Sequence, residues 1–397
     1  MSTLLPLLSD TVAEIKAIYS IKFGNYAIKP TKESLDFLAD KLADVEFCYA
    51  ALDKVSRSFA IVIRQLPVEL RNPVCLFYLT LRGLDTIEDD MQLSLQQKII
   101  LLKSFHVDCS NEKLSLKNIG DQEAYRHLML HYYKIARAFN QLDEKYRVVI
   151  QDICQKMGEG MAYYAERKVH SVADYDLYCH YVAGLVGHGL SGLFAASGYE
   201  NKNLQYQLRL SNEMGLMLQK TNIIRDYHED LQEGRVFLPE EIWGEYAPTF
   251  GWFAQNPNHK NSINCWIAYT NNALQHIPAC ITYLQLLKND HIFRFCAIPQ
   301  IMSFATLAEI YANPKVLQQN VKISKGLAAR FMVETTSMQQ VIDATEKALT
   351  KIESKINLAY SNCAETEKII ADVRSTLHLP NKYEWELPQT ITEPQTV

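Results

Sequence analysis

The sequence predicts an all-α protein. Apolar residues recur three and four positions apart along almost the whole chain, which is the spacing of a helix face packed on a core. The 397 residues include only 15 Gly and 13 Pro, below the roughly 7% and 5% of an average protein, so tight turns are few. No segment alternates Val, Ile or Thr with polar residues as strands do. We therefore expect one helical domain over residues 35–375, preceded by an N-terminal extension, 1–34, and followed by a polar tail, 376–397.

The individual helices follow from apolar spacing and from polar breaks. Leu35, Leu38 and Leu42 share one face of a first helix. A second helix begins at Phe59, and a third begins near Pro73, because proline is tolerated in a first helical turn. Further helices are expected over 122–140, 143–168, 174–197, 204–231, 262–288, 298–312 and 326–375, with breaks near 108–120, 199–203, 232–261 and 313–325.

The charge and cysteine content exclude several classes of protein. The chain carries 40 Lys+Arg against 45 Asp+Glu, a net charge of -5, and it has no basic stripe, so we expect no nucleic-acid partner. Its nine cysteines include no C-x-x-C pair, which favours reduced thiols in the cytosol over a zinc or disulfide framework. The first apolar run is too short for a signal peptide and lacks a basic leader.

One segment could be a membrane span. Residues 177–199 contain no Asp, Glu, Lys or Arg, and their length could cross a bilayer. They also contain two His, two Ser and several Gly, so we expect a buried central helix. A membrane-embedded protein is the alternative, and soluble expression without detergent would dismiss it. Within the segment, 187–192 matches G-x-G-x-x-G without a preceding strand, so we expect close helix approach rather than a dinucleotide site.

Two acidic clusters are the first candidates for chemistry. Asp85 and Asp89 are four residues apart, as are Asp226 and Asp230, so on a helix each pair presents two carboxylates on one face. Like charges at that spacing cost an isolated helix roughly 0.2–0.5 kcal/mol, a cost that a bound cation turns into a gain. The alternative is a pair of solvated helix faces, since a chain with 45 acidic residues contains such pairs by chance.

The residues around the clusters suggest a diphosphate substrate. Mg²⁺ takes oxygen ligands and is held by one or two carboxylates together with substrate phosphates. Nearby arginines would bind the diphosphate oxygens: Arg57, Arg82, Arg225 and Arg235. If the diphosphate leaves an allylic carbon, a carbocation remains, and aromatic faces attract cations by roughly 0.5–2 kcal/mol. The candidate faces, for each of which core packing is the alternative, are Phe59, Tyr78, Tyr178 and Phe295.

Five stretches of the chain resemble the squalene/phytoene synthase family, and within it the squalene synthases. They read SRSFAIVIRQLP (56–67), FYLTLRGLDTIEDDM (77–91), YCHYVAGLVG (178–187), LQKTNIIRDYHEDLQEGRVFLP (218–239) and FCAIPQ (295–300), in the expected order. The resemblance implies an isoprenoid-synthase fold, which is a single helical domain around a central cavity, with the two aspartate-rich helices facing each other across it.

The resemblance also implies a prenyl transferase of sterol and isoprenoid biosynthesis that acts in two half-reactions. Two molecules of farnesyl diphosphate condense head to head, with Mg²⁺, to presqualene diphosphate. This intermediate then rearranges and is reduced by NADPH to squalene. A monomer is the expected state, and the apolar product implies proximity to a membrane.

The family's functional residues carry over to matching positions. The Mg²⁺ ligands would be Asp85, Glu88, Asp89, Asp226 and Asp230. The diphosphates would meet Arg57, Ser58, Arg82, Arg225 and Arg235. Tyr178 would be the base or the cation-stabilising group of the first half-reaction, although the pKa near 10 of a tyrosine is high for a base, so a released diphosphate oxygen is an alternative final proton acceptor. The prenyl channel would be lined by Phe59, Tyr78, Leu190, Gln219, Asn222 and Phe295, and NADPH would meet Lys322 and Lys325.

Three features depart from the family pattern. Ser324 stands where the family usually has Arg in the basic stretch 322–326, which bears on cofactor affinity. Leu238 stands where Trp usually precedes a proline. Eukaryotic members generally end in a membrane-anchoring helix that this sequence does not supply. The expected location is therefore the cytosolic face of the endoplasmic reticulum if the chain is truncated, and otherwise the cytoplasm or a peripheral membrane site.

Two rival functions remain at this point. A dehydrosqualene or phytoene synthase would share the fold and either stop without reductant or use a longer substrate. The stretches at 178–187 and 295–300 favour squalene synthase over these. A helical scaffold without activity is the other rival, and the intact carboxylates, arginines and Tyr178 argue against it.

Overall fold

A computed structural model describes residues 4–23 and 39–377, and all regular structure in those ranges is helical. The α-helices are α1 (Leu4–Phe23), α2 (Ala39–Val55), α3 (Arg57–Ile63), α4 (Val68–Asp89), α5 (Leu95–Asp108), α6 (Glu123–Leu130), α7 (Tyr132–Asn140), α8 (Glu144–Ala165), α9 (Val172–Cys179), α10 (Leu185–Ser197), α11 (Leu208–Arg225), α12 (Tyr227–Gln232), α13 (Glu240–Trp243), α14 (Trp252–Gln255), α15 (Lys260–Leu274), α16 (Ile277–Leu286), α17 (Asp290–Ile310), α18 (Lys325–Glu334), α19 (Met338–Glu353) and α20 (Cys363–Leu377). A π-helical turn, His180–Gly184, joins α9 to α10. The predicted all-α class is confirmed.

Helices α4, α8, α10, α11 and α17 form the centre of the molecule. In α4 the fully buried side chains Leu70, Val74, Phe77, Leu81 and Leu84 follow a spacing of four and three, which makes one continuous apolar stripe. This stripe packs on α8 and α10, while α11 packs on α10 and α17. Helix α10 thereby contacts both α4 and α11.

The uncharged segment 177–199 forms the end of α9, the π-turn and α10. A Cβ added at Gly187 would lie 2.0 Å from the carbonyl oxygen of Ser211 on α11, and one at Gly189 would lie 2.4 Å from the ring of Phe77 on α4. The glycines therefore let three helices approach closely, as the sequence predicts. No helix among residues 4–23 and 39–377 has both the length and the apolar character needed to cross a bilayer.

Several helix boundaries differ from the sequence-based expectation. Pro73 lies inside α4, which begins at Val68 with Pro67 before it, so Pro73 is not in the first turn. The segment predicted as one helix over 326–375 is three helices, because Ser337 begins a new helix and a second break follows α19. Helix α17 begins at Asp290, eight residues before the predicted start, with Asn289 accepting hydrogen bonds from the first turn.

Helix α1 lies inside the predicted N-terminal extension and packs on α18. Arg330 pairs with Asp10, and the hydroxyl of Ser324 donates to Glu14 at 3.1 Å. A Cβ at Gly326 would lie 2.0 Å from the carboxylate of Glu14, so only glycine fits there. The predicted tail, 376–397, begins with the last two residues of α20, which ends at Leu377. The predicted boundary near residue 34 and the tail residues 378–397 lie outside the described residues and stay predictions.

Candidate active site

The first acidic cluster lies on the last turns of α4, and the second lies where α11 gives way to α12. Asp226 separates these two helices and has non-helical backbone angles (φ -92°, ψ 9°), so the second pair does not lie on one continuous helix as predicted. The pair stays together because the N–H of Asp230 still donates to the carbonyl oxygen of Asp226 at 2.9 Å. The kink ends α11 at the level of the cluster.

Arg235 joins the two clusters directly. Its Nη1 donates to Asp89 at 2.9 Å, and its Nη2 donates to Asp230 at 2.9 Å and lies 2.7 Å from Glu233. Its backbone N–H donates to the carbonyl oxygen of Asp230 at 2.8 Å, after a turn at Gly234 with φ of +73°. One guanidinium therefore neutralises carboxylates from both sides of the cleft.

The other two carboxylates of the acidic pairs, those of Asp85 and Asp226, each form an ion pair with an arginine. Arg82 lies 3.2 Å from Asp85 and donates to the hydroxyl of Tyr78 at 3.1 Å. The Nε of Arg82 is buried and finds no hydrogen-bond acceptor in the described part of the chain. Arg225 donates from Nε to the carboxylate of Asp226 at 2.8 Å. Arg82 and Arg225 therefore accompany the acids that a diphosphate would approach.

The carboxyl groups in the cleft hold their protons more strongly than usual. Burial raises the pKa of Asp85 to about 6, with Arg82 opposing the rise and Asp89 adding to it. Burial likewise raises the pKa of Asp230 to about 6 against the effect of Arg235. The pKa of Glu88 is raised well above its ordinary value by burial and by its acidic neighbours. The cleft concentrates more negative charge than its arginines neutralise.

Asp90, which follows the first cluster directly, has a different environment. Its carboxylate is buried and accepts the backbone N–H groups of Gln92 at 2.8 Å and Gly120 at 2.7 Å. Gly120 has a φ of +115°, a conformation that favours glycine. Asp90 therefore stabilises the loops at Gln92 and Gly120, and its carboxylate is not part of the acidic cleft.

Two cavities adjoin the acidic cleft. The larger, about 170 Å³, lies between α3, α11, α17 and α18, and the predicted residues on its wall are Ser58, Phe59, Asn222 and Arg225. The smaller, about 110 Å³, lies between α3, α4, α8 and α10, and the predicted residues on its wall are Phe59, Tyr78, Arg82, Asp85, Leu190 and Phe295. Phe59 borders both cavities. The rest of each lining is mostly apolar, as a prenyl chain requires.

Tyr178 lies at the end of α9 and is almost fully buried. Its ring stacks on Phe237 with centroids 5.1 Å apart and planes 13° apart, and Tyr164 meets it edge-on at 5.4 Å. The guanidinium of Arg235 lies over the ring of Phe237, 5.8 Å from its centroid. Burial, followed by the charges of Glu88 and Asp89, raises the pKa of Tyr178 well above its ordinary value.

The structure separates the remaining predicted residues from the cavities. Gln219 is half-buried on α11, Lys322 is exposed on the segment before α18, and Lys325 is exposed as the first residue of α18. Arg57 is the first residue of α3, and its side chain lies outside the described part of the structure. No group of three or more His, Cys, Asp or Glu side chains within the described ranges is arranged as a metal site.

The sequence argument missed three residues of this region. Phe237 lies in the stretch 218–239 that resembles the family. Its position two residues after Arg235 is the signal that could have identified it as a candidate aromatic face. Asn320 donates to the carboxylate of Asp226 from a segment predicted to be a break. Tyr125 lies under the guanidinium of Arg82 at 5.7 Å. No local pattern identifies these last two, because both reach the site through long-range packing.

Comparison with known proteins gives consistent matches. The family model described as squalene/phytoene synthase matches residues 52–326. The squalene synthase of Mus musculus is 42% identical over 357 residues, covering 90% of this chain and 84% of the relative. The squalene synthase of Homo sapiens is 44% identical over 339 residues, covering 85% of this chain and 81% of the relative. A solved structure of TcSQS with a bound ligand is 39% identical with a TM-score of 0.82, covering 84% of this chain and 98% of that one.

Proposed function

We infer the function from one premise, that the chain belongs to the squalene/phytoene synthase family. The chain is a squalene synthase, a prenyl transferase that condenses two molecules of farnesyl diphosphate head to head to presqualene diphosphate and converts this to squalene. The similarity to curated squalene synthases over most of their length supports this choice within the family. The geometry that carries it is Arg235 joining Asp89 to Asp230 beside the apolar cavities.

The residues of the cleft fit magnesium. The donors are all carboxylate oxygens, the ligands that Mg²⁺ prefers, and the carboxyl groups of Asp85 and Asp230, whose pKa values are raised mainly by burial, would be stabilised in their charged form by a bound cation. Asp85, Glu88 and Asp89 on one side would hold Mg²⁺ together with Asp226 and Asp230 on the other. Bound Mg²⁺ would supply the positive charge that makes a diphosphate a good leaving group.

The arginines and Ser58 would bind the diphosphates. Arg82 has a buried donor, Nε, without an acceptor in the described structure, and Arg225 borders the larger cavity. As the C1–O bond of the first farnesyl diphosphate breaks, the electron pair leaves with the diphosphate oxygen, and these guanidinium groups hold the departing anion. We assign Arg57 the same role from the family pattern.

Tyr178 would act on the cation that remains. The ring of Tyr178, stacked on Phe237, lies near the charges of Glu88 and Asp89, and aromatic faces stabilise carbocation charge. The cation alkylates the C2–C3 double bond of the second substrate, and closure of the cyclopropane ring releases a proton. The raised pKa of Tyr178 keeps its side chain a neutral phenol. Its oxygen would therefore relay the proton to a released diphosphate oxygen, which is the final acceptor.

The prenyl chains would lie in the two cavities, with Phe59 between them, and the family pattern adds Gln219 to the channel although this residue borders neither cavity. For the second half-reaction we propose NADPH, which supplies a hydride when bound. Lys322 and Lys325 offer exposed ammonium groups for its phosphates, on a segment that Asn320 ties to Asp226. We also propose that the protein acts as a monomer. Because squalene is insoluble in water, we propose that the protein acts next to a membrane, on the cytosolic face of the endoplasmic reticulum.

Product analysis by mass spectrometry tests the proposal. The purified chain is incubated with farnesyl diphosphate and Mg²⁺, with and without NADPH. Squalene formed only with NADPH, and presqualene diphosphate without it, is the expected result. A conjugated C30 triene formed regardless of reductant would replace the proposal with a dehydrosqualene synthase. A folded protein that forms no product would indicate a scaffold.

A further inference from the structure

Lys220 is a buried charged residue in the middle of the catalytic helix α11. Its side chain is 1% exposed, and its Nζ lies 2.6 Å from Asp176 on α9 and donates to Asn272 on α15 at 2.7 Å. The same ammonium group lies 5.2 Å from the centroid of Tyr175, also on α9. Lys220 therefore ties three helices together, although its neighbours along α11 line the larger cavity.

The contacts of Lys220 fall next to Tyr178. Asp176 precedes Tyr178 by two residues and Tyr175 precedes it by three, so Tyr175 and Tyr178 are neighbours on the surface of α9. Helix α9 has only eight residues and runs into a π-turn, and a helix this short is held in place by its tertiary contacts. The ion pair of Lys220 with Asp176 joins α9 to α11.

On the other side, Lys220 fixes the helix that carries the substrate-facing groups. Asn222 and Arg225 follow it within two turns and border the larger cavity, and Asp226 ends the helix. A shift of α9 along α11 would move the ring of Tyr178 relative to all three. The ion pair of Lys220 with Asp176 is thus one of the contacts between the helix of the proposed cation-stabilising group and the helix of the proposed diphosphate site.

We propose that Lys220 is a positioning residue for the first half-reaction, holding Tyr178 in register with Asn222 and Arg225. This inference rests on the proposed function and assigns a new residue to it. Lys220 touches neither substrate nor metal in this role. It acts through Asp176 and Tyr175 on the placement of the Tyr178–Phe237 stack.

Lys220 and Asp176 differ in how deeply they are buried, so variants of the two residues can distinguish a positioning role from a purely structural one. The Oδ1 of Asp176 is buried, but the side chain as a whole is 45% exposed, so after Lys220→Met a small shift of the carboxylate brings it into water, and the methionine fills the space of the lysine stem. After Asp176→Asn, by contrast, an ammonium group stays buried without its carboxylate, which is strongly destabilising. The double variant Lys220→Met/Asp176→Asn removes that buried charge.

The experiment measures presqualene diphosphate formation without reductant, together with the melting temperature, for these variants. Lys220→Met should lower kcat at least tenfold, leave KM for farnesyl diphosphate within twofold, and change the melting temperature little. Asp176→Asn should lower the melting temperature, and adding Lys220→Met should restore it without restoring kcat. The matched control is Lys355→Met, since Lys355 is half-buried and caps the end of α17 by donating to the carbonyl oxygens of Ala308, Glu309 and Tyr311. It should lose stability and keep kcat.

Three outcomes overturn the inference. If Lys220→Met retains the kcat of the parent enzyme, Lys220 does not position the site. If its kcat falls only in proportion to a melting temperature that falls as in Lys355→Met, its role is structural. If the parent chain itself forms no presqualene diphosphate from farnesyl diphosphate and Mg²⁺, the proposed function fails, and this inference fails with it.

Discussion

Arg235 and Asp89 lie 146 positions apart in the sequence and are joined by a hydrogen bond of 2.9 Å. Because the same guanidinium also binds Asp230, the bond closes the cleft between the two halves of the candidate active site. A divalent cation bound between these carboxylates would compete with Arg235 for the same oxygen atoms. The arginine would then be free to meet the diphosphate that accompanies the metal, which links metal binding to substrate binding.

Removing one carboxylate from either cluster should abolish turnover. Asp85→Asn and Asp226→Asn are each expected to reduce squalene formation at least a hundredfold while leaving the helical content unchanged, because a neutral amide is a poor Mg²⁺ ligand. Product formation and circular dichroism are the measurements. Asp152→Asn, an exposed substitution on α8, is the control and should be fully active. Near-normal product formation by either cluster variant would refute the metal assignment.

The raised pKa values of Asp85 and Asp230 predict a pH-dependent response to metal. Each rises from 3.8 to about 6 on folding, so between about pH 4 and pH 6 the folded protein binds more protons than the unfolded one. The contribution of these two carboxyl groups to the stability of the metal-free protein therefore falls as the pH rises through this range. Mg²⁺ binds the deprotonated groups, so it should raise the melting temperature more at about pH 7.5 than at about pH 5. An equal effect of Mg²⁺ at both pH values would contradict this.

Replacing Arg235 should make stability depend on metal. Arg235→Gln leaves Asp89 and Asp230 without their shared positive charge, and the metal-free melting temperature should fall by about 2–4 °C, since hydrogen bonds to charged groups contribute roughly 1.5–3 kcal/mol. Added Mg²⁺ should recover most of this loss. Arg374→Gln is a matched control, because Arg374 also bridges two acids, Glu346 and Glu353, but far from the cleft. If Mg²⁺ rescues both variants equally, the effect is not specific to the cleft.

The stacked pair Tyr178 and Phe237 should act in the first half-reaction. Tyr178→Phe is expected to abolish presqualene diphosphate formation, because the phenol oxygen that would relay the proton is lost while the stack is kept. Phe237→Leu should reduce the rate about tenfold, in line with the roughly 0.5–1.5 kcal/mol of an aromatic pair. Continued presqualene diphosphate formation by Tyr178→Phe would remove Tyr178 from the mechanism.

Asn320 should matter for the second half-reaction. Its side chain joins Asp226 to the segment that carries Lys322 and Lys325. Asn320→Ala and Lys322→Ala are each expected to raise KM for NADPH several-fold while presqualene diphosphate formation without reductant is unchanged. Steady-state kinetics with varied NADPH measure this. An unchanged KM in both variants would move the cofactor to another surface of the protein.

The sequence predicts the helices and the acidic pairs well, because both depend on residues within one or two turns. The buried stripe of α4 and the pairing of Asp85 with Asp89 follow from spacings of three and four. The kink at Asp226 and the bridge by Arg235 are not predictable in this way. Both depend on how α4 and the loop after α12 meet, and no local pattern encodes that distance.

The packing of α1 on α18 has a consequence for how the chain folds. Glu14 and Ser324 are 310 positions apart, and Asp10 and Arg330 are 320 positions apart. At ribosomal rates of about 5–20 residues per second, α1 must wait roughly 15–60 s before its partner helix has been synthesised. Until then Val12, Ile15 and Ala17 all face water, and of these only Ala17 becomes buried afterwards. Helix α1 is thus made long before the helix on which it docks, and completion of its packing is tied to the synthesis of α18.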